Sequence, residues 1–220
     1  MKTPLLYQAY RTLRRGWKRM TPEARHAVEA FVASQRTDHG YMNAGGREDD
    51  YYKQFGRVLE AVFSPYRLLG MDISLTVHES RHKDTIYGRF FDFLEAEMHA
   101  VRPKDVSFDC PKVMTTNAVC CFLSMQHQTG ATANPEWIEW LQQRQDATGG
   151  FHATDQAPVP DLLSTAVALF TLRLVGAEAR DASDFIHAHW LDNGGFAPTI
   201  FDDYSDVEYV FYGILALGAI

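Results

Sequence analysis

Asp50, Asp161 and Asp206 each stand just ahead of an apolar run, at matching places in three similar segments. If those runs are helices, the three carboxylates share one end of the molecule. A ring of carboxylates there could bind Mg²⁺ for a diphosphate, or supply a general acid where desolvation raises one pKa. The same aspartates also fit helix N-caps, each worth about 1 kcal/mol. Asp50 is preceded by Glu48 and Asp49, and three adjacent acids exceed what a cap needs, so Asp49 joins Asp50 as a binding candidate. Glu208 adds an acid to the turn after Asp206, where macrodipole compensation accounts for it equally well.

Around these acids the apolar runs carry Tyr51, Tyr52, Phe55, Phe122, Phe170, Tyr209, Phe211 and Tyr212. Aromatic faces can line an apolar ligand pocket and stabilise cations, or simply fill a core. Tyr51, Tyr52, Phe170, Tyr209 and Tyr212 are the candidate ligand contacts, with Asp49 and Glu208. His78-Glu79-Ser-Arg-His82 spells the zinc-hydrolase string HExxH, in which two histidines four apart on a helix grip zinc while the glutamate activates water. Arg81, Lys83 and Asp84 give it a polar, charged context unlike a buried catalytic helix. Cys110, Cys120 and Cys121 have no metal-ligand spacing. Their odd number and lack of a CxxC exclude a disulfide scaffold and lead us to expect a reducing, cytoplasmic setting.

The elements that must position these residues recur along the chain. The first unit runs from Phe31-Val-Ala-Ser-Gln35 through His39-Gly40-Tyr41 to Asp50. The second runs from Trp140-Leu-Gln-Gln-Arg-Gln145 through Gly149-Gly150-Phe151 to Asp161, and the third from Phe185-Ile-His-Ala-His-Trp190 through Gly194-Gly195-Phe196 to Asp206. The spacing predicts a helix, a left-handed glycine cap at its C-terminus, a packed aromatic, a loop, and a second helix opened by Asp. A fourth, degenerate unit is expected from helices over 84–101 and 112–126. Nothing reads as strand. The expected fold is all-α, about four helix pairs over residues 1–220, with the apolar second helices inside and the polar first helices outside. Such an arc leaves apolar edges that another element, a second copy or a partner protein must cover.

Residues 1–25 form a basic leader. They hold seven Lys/Arg against one acid, Glu23, whereas residues 26–220 hold 14 basic and 27 acidic residues. Leu6, Tyr10, Leu13, Trp17 and Met20 make one stripe on this helix. It can cap the acidic body of its own chain, or residues 1–20 can touch a partner or an anionic membrane surface. The net charge of −7 excludes a general nucleic-acid binder. No run is long enough to span a membrane, and the start lacks a signal-peptide pattern.

The sequence of helix, Gln, Gly-Gly-aromatic, then Asp opening an apolar helix resembles the protein prenyltransferase β-subunit and terpenoid cyclase superfamily, over 137–218 and more loosely over 26–63. The resemblance implies an α/α toroid-type arc and an isoprenoid or other long apolar ligand in an aromatic-lined cavity. It also implies a zinc site, but only Asp161 matches. The cysteine position is Leu163, the histidine position is Tyr209, and the diphosphate-binding histidine falls on Val113 or Lys112. The cyclases' Asp-x-Asp-Asp acid motif is missing, with Glu48-Asp49-Asp50 the nearest approach. The expected activity is therefore isoprenoid handling without zinc. A non-catalytic scaffold that binds a partner protein is the alternative, and an HExxH zinc hydrolase a remote one. The purified protein is expected to carry no stoichiometric zinc. One zinc per chain by elemental analysis, lost in His78→Ala, would revive the hydrolase.

Overall fold

The computed structural model describes residues 3–48, 50–64, 85–99 and 114–220. Among the described residues there are nine α-helices and only isolated β-bridges, so the protein is all-α. They are α1 (Leu5–Arg19), α2 (Pro22–Ser34), α3 (Asp50–Phe63), α4 (Ile86–Met98), α5 (Thr116–Thr129), α6 (Pro135–Gln142), α7 (Leu162–Val175), α8 (Ser183–Ala188) and α9 (Val207–Ala219). Side-chain caps set several starts, because the first amides of a helix have no partner within it. Thr21, Thr85, Thr115 and Asn134 accept from the backbone of Ala24, Gly88, Ala118 and Glu136, at 3.0–3.2 Å. Pro22 and Pro135 stand in the first turn of α2 and α6, where no amide is needed.

The three units share one backbone pattern after the outer helix. Asp146 N–H donates to Gly150 O and His152 N–H to Arg144 O; Leu191 donates to Gly195 and Ala197 to His189 in the same way. In the first unit the equivalents are Thr37 to Gly40 and Met42 to Gln35, a loop one residue shorter. The glycine pair was expected to cap the outer helix. It lies instead inside a returning turn, several residues past the end of α6 at Gln142, with Gly149 and Gly194 at φ +89° and +92°. A side chain at Gly149 would also strike the Asp181 backbone. The aromatic that follows packs on a small residue of an inner helix. A Cβ at Gly56 would lie 2.1 Å from the Tyr41 ring, and one at Gly213 2.5 Å from the Phe196 ring.

α3, α9, α7, α5 and α4 are neighbours in that order and run the same way. At their N-terminal ends the Tyr51 hydroxyl meets Glu208, and the hydroxyls of Tyr87 and Thr115 lie 2.8 Å apart. At their C-terminal ends Arg173 donates to Ala219 O at 3.2 Å, and Gln128 donates to Glu97 at 2.6 Å. The fourth unit departs from expectation here. α4 and α5, anticipated as outer and inner partners, lie side by side in one direction, so both belong to the inner layer.

α1 crosses the C-terminal ends of this layer with its stripe turned inward: Tyr10, Leu13, Trp17 and Met20 are buried in the common core. Its basic residues meet the unpaired carbonyls there. Arg15 donates to Gly218 O at 2.8 Å, Arg19 to Leu217 O and Ile220 O at 2.8 and 2.6 Å, and Arg14 to Val62 O and Ser64 O. Cations at a helix C-terminus satisfy both the orphan acceptors and the negative end of the macrodipole. The leader helix thus caps its own chain. Two glycines allow the approach: a Cβ at Gly16 would lie 2.0 Å from Ile214 O, and one at Gly218 1.9 Å from Thr12 O. Neither backbone can yield without separating the helices. Gly16→Ala is expected to cost about 3 kcal/mol in urea denaturation, at the top of the usual range for overpacking. An exposed control, Tyr7→Ala, should cost far less.

Candidate functional site

Because the inner helices are parallel, their first turns lie at one end, and there Asp206 and Glu208 of α9 sit against Tyr51 of α3. Asp206 is buried and caps α9, its Oδ1 accepting from the amides of Glu208 and Tyr209 at 3.0 and 3.2 Å. Glu208 is also buried, with its Oε1 accepting from the Tyr51 hydroxyl at 2.8 Å. Burial pushes its carboxyl up to about 7; the Tyr51 hydrogen bond lowers it and the nearby Asp206 charge raises it. Burial also raises Asp206, against the pull of the two capping amides. The site therefore holds a carboxylic acid that changes charge near neutrality, fastened to a second helix by a tyrosine.

Beside it, rings from α3 and α9 form one edge-to-face cluster. Tyr51 meets Tyr52 and Phe55 at centroid distances of 5.3 and 5.2 Å, Phe55 meets Phe211 at 5.2 Å, and Phe211 meets Tyr212 at 5.4 Å. Tyr209 and Tyr212 are half-buried, and both hydroxyls have raised pKa values, from burial first and the Glu208 charge second. Two expected members lie elsewhere. Phe122 packs edge-to-face on Trp137 of α6 at 6.0 Å, and Phe170 is half-buried against the general core.

The other carboxylates divide. Asp161 caps α7 by accepting from Ser164 N–H at 2.7 Å, and burial raises its pKa against that bond. Asp50 is the exposed first residue of α3 rather than its N-cap, because the helix begins one position earlier than a cap there would require. Asp49 lies outside the described residues, as do the HExxH string, Cys110, Lys112 and Val113. Among the described residues no three His, Cys, Asp or Glu side chains gather closely enough to hold a metal ion. Asp161 is committed to its cap, with Leu163 and Tyr209 at the other positions, so the donors present do not fit zinc. Nor do Asp50, Asp161 and Asp206 form a Mg²⁺ cage. Cys120 and Cys121 are free thiols; burial pushes Cys120 up to about 12 and also raises Cys121.

Sequence reasoning singled out both Tyr51 and Glu208 but not their bond, since 157 residues separate them. It passed over His189, which is fully buried. Its Nδ1 lies 2.8 Å from Phe185 O, its Nε2 has no hydrogen-bond partner among the described residues, and burial lowers its pKa.

No family model matches the chain, and neither a curated protein nor a solved structure matches it. Among the described residues no helix is long and apolar enough to cross a membrane.

A carboxyl whose folded pKa lies above its ordinary value favours the folded state when protonated. The contribution of Glu208 is complete below about pH 4.5 and is lost as pH rises through about 7. Glu208→Gln keeps an acceptor for Tyr51 and removes the charge. In urea denaturation it should match wild type at low pH and exceed it above neutrality by about 3 kcal/mol. Equal pH dependence in the two proteins would mean that Glu208 does not titrate in this range.

Proposed function

We propose that this chain is a prenyltransferase- and terpenoid-cyclase-like α/α toroid-type arc, acting in the cytoplasm on an isoprenoid or another long apolar molecule. The thrice-repeated turn and the parallel inner helices, two of them capped by Asp161 and Asp206, support the superfamily. The free thiols of Cys120 and Cys121 accord with a reducing compartment. The observation that carries the ligand reading is Glu208, a buried acid with a pKa of about 7 set against five clustered rings. At neutral pH an appreciable fraction of such an acid is protonated and can donate, and ring faces lower the energy of a cation formed beside them. The chemistry that fits is proton donation to an apolar double bond, with Tyr51 holding the carboxyl in place. No step requires zinc or Mg²⁺.

One observation favours a second reading, a non-catalytic scaffold for a partner. Ile200 and Phe201 stand in solvent beside this end of the inner layer, with Phe201 76% exposed.

Native mass spectrometry with prenyl diphosphates and the matching prenyl alcohols separates the two. The enzyme reading expects one ligand per chain, with affinity falling about tenfold in Phe55→Ala. Glu208→Gln should still bind but should no longer exchange solvent deuterium into the ligand. A folded wild type that retains no prenyl compound at micromolar concentration would leave only the scaffold.

A further inference from the structure

Each end of the inner layer has a feature that the ligand reading does not use. At the N-terminal end, the loop ahead of α9 holds Ile200 and Phe201 out in solvent, 55% and 76% exposed, with Asp202 and Asp203 next in sequence. This loop is built to keep its shape. The Asp202 carboxylate accepts from both the amide and the hydroxyl of Thr199, at 3.0 and 2.6 Å, and Asp202 N–H donates back to Thr199 O at 3.2 Å. An apolar pair fixed in water by its own turn is a presented surface, with little ordering entropy left to lose on docking.

Around the C-terminal end of α3, α1, α2 and Phe63 line an open cleft of about 480 Å³. Arg14, Lys18 and Arg25 line it with His26 and a single acid, Glu29, and its apolar wall is the half-buried Phe63 backed by the edge of the buried Trp17, the two rings 4.4 Å apart. The Arg25 guanidinium sits 6.0 Å over the Trp17 ring. The cleft thus offers an apolar wall with a basic rim, and the loop offers an apolar tip with an acidic base. α9, 13 residues long, puts about 20 Å between the loop at its start and the carbonyl ends that α1 covers.

We propose that the Ile200–Phe201 loop of one copy enters the basic cleft between α1 and α2 of a second copy, so that the chain associates head to tail. Charge complementarity selects this occupant. An anionic lipid surface would be repelled by Asp202 and Asp203, whereas the cleft of another copy attracts them. The contact is heterologous: each copy uses its loop on one neighbour and its cleft on another, and association closes into a ring or continues as a filament. This inference is independent of the isoprenoid reading.

Sedimentation velocity of the full chain over a concentration series tests it. Wild type should rise from the 25.0 kDa monomer to larger species at tens of micromolar. Phe201→Ser should weaken association about tenfold or more, as loss of an aromatic anchor does. Lys18→Glu with His26→Glu should do the same from the cleft side. Both variants change exposed side chains, and circular dichroism verifies that they fold. Mixing them regenerates one working loop and one working cleft, so the mixture should form dimers and stop. A wild type that stays monomeric throughout, association that survives Phe201→Ser, or a mixture that forms no dimer would each overturn the proposal. So would a monomer that instead sediments with phosphatidylserine vesicles through Phe201.

Discussion

Five helices that point the same way bring their unpaired carbonyls together at one end and their unpaired amides together at the other. That alignment is the constraint on which the rest of the molecule depends. One helix end has four orphan groups and a partial charge; several side by side would leave a polar surface no apolar element could cover. The chain answers with α1, whose apolar stripe enters the core while Arg14, Arg15 and Arg19 cover carbonyls of α3 and α9. The answer works only because Gly16 and Gly218 let two backbones touch. The arginines of α1 are therefore spent on the backbone carbonyls of its own chain.

The opposite end shows which of two competing effects prevails. A helix N-terminus stabilises an anion by about 0.3–1 kcal/mol, which would hold a carboxyl below its ordinary pKa. Glu208 lies in the first turn of α9 and yet sits near 7, a rise that corresponds to about 3 kcal/mol. Desolvation outweighs the dipole because the side chain is buried beneath Tyr51 and beside a second carboxylate. Asp206 and Asp161 are raised for the same reason, but backbone amides hold their oxygens and tie them to capping. Glu208 accepts instead from a side chain of another helix, which leaves its proton to be governed by whatever lies against the rings.

Much of this was legible from residue order. The 45-residue step from Gly150 to Gly195, the aromatic after it and the Asp ten residues on mark units that the structure repeats bond for bond. The stripe from Tyr10 to Met20 marks a buried face. The direction of α4 against α5 is not in residue order, because a pattern along one chain carries no direction relative to its neighbour. Nor is the place of Gly149, since a left-handed residue suits a helix cap and a returning turn alike.

Residue order is enough to make the protein helical, to set where its units recur and which faces are apolar, and to segregate basic from acidic residues. Those properties are local, resting on periodicity, caps and turn chemistry within a few residues. Tertiary structure alone decided that the inner helices are parallel and that α1 closes their carbonyl ends through paired glycines. It also decided that Glu208 meets Tyr51 and that Phe201 stands in solvent. Each of these is a relation between residues far apart in the chain, and burial, which sets a carboxyl's pKa, exists only once such residues are brought together.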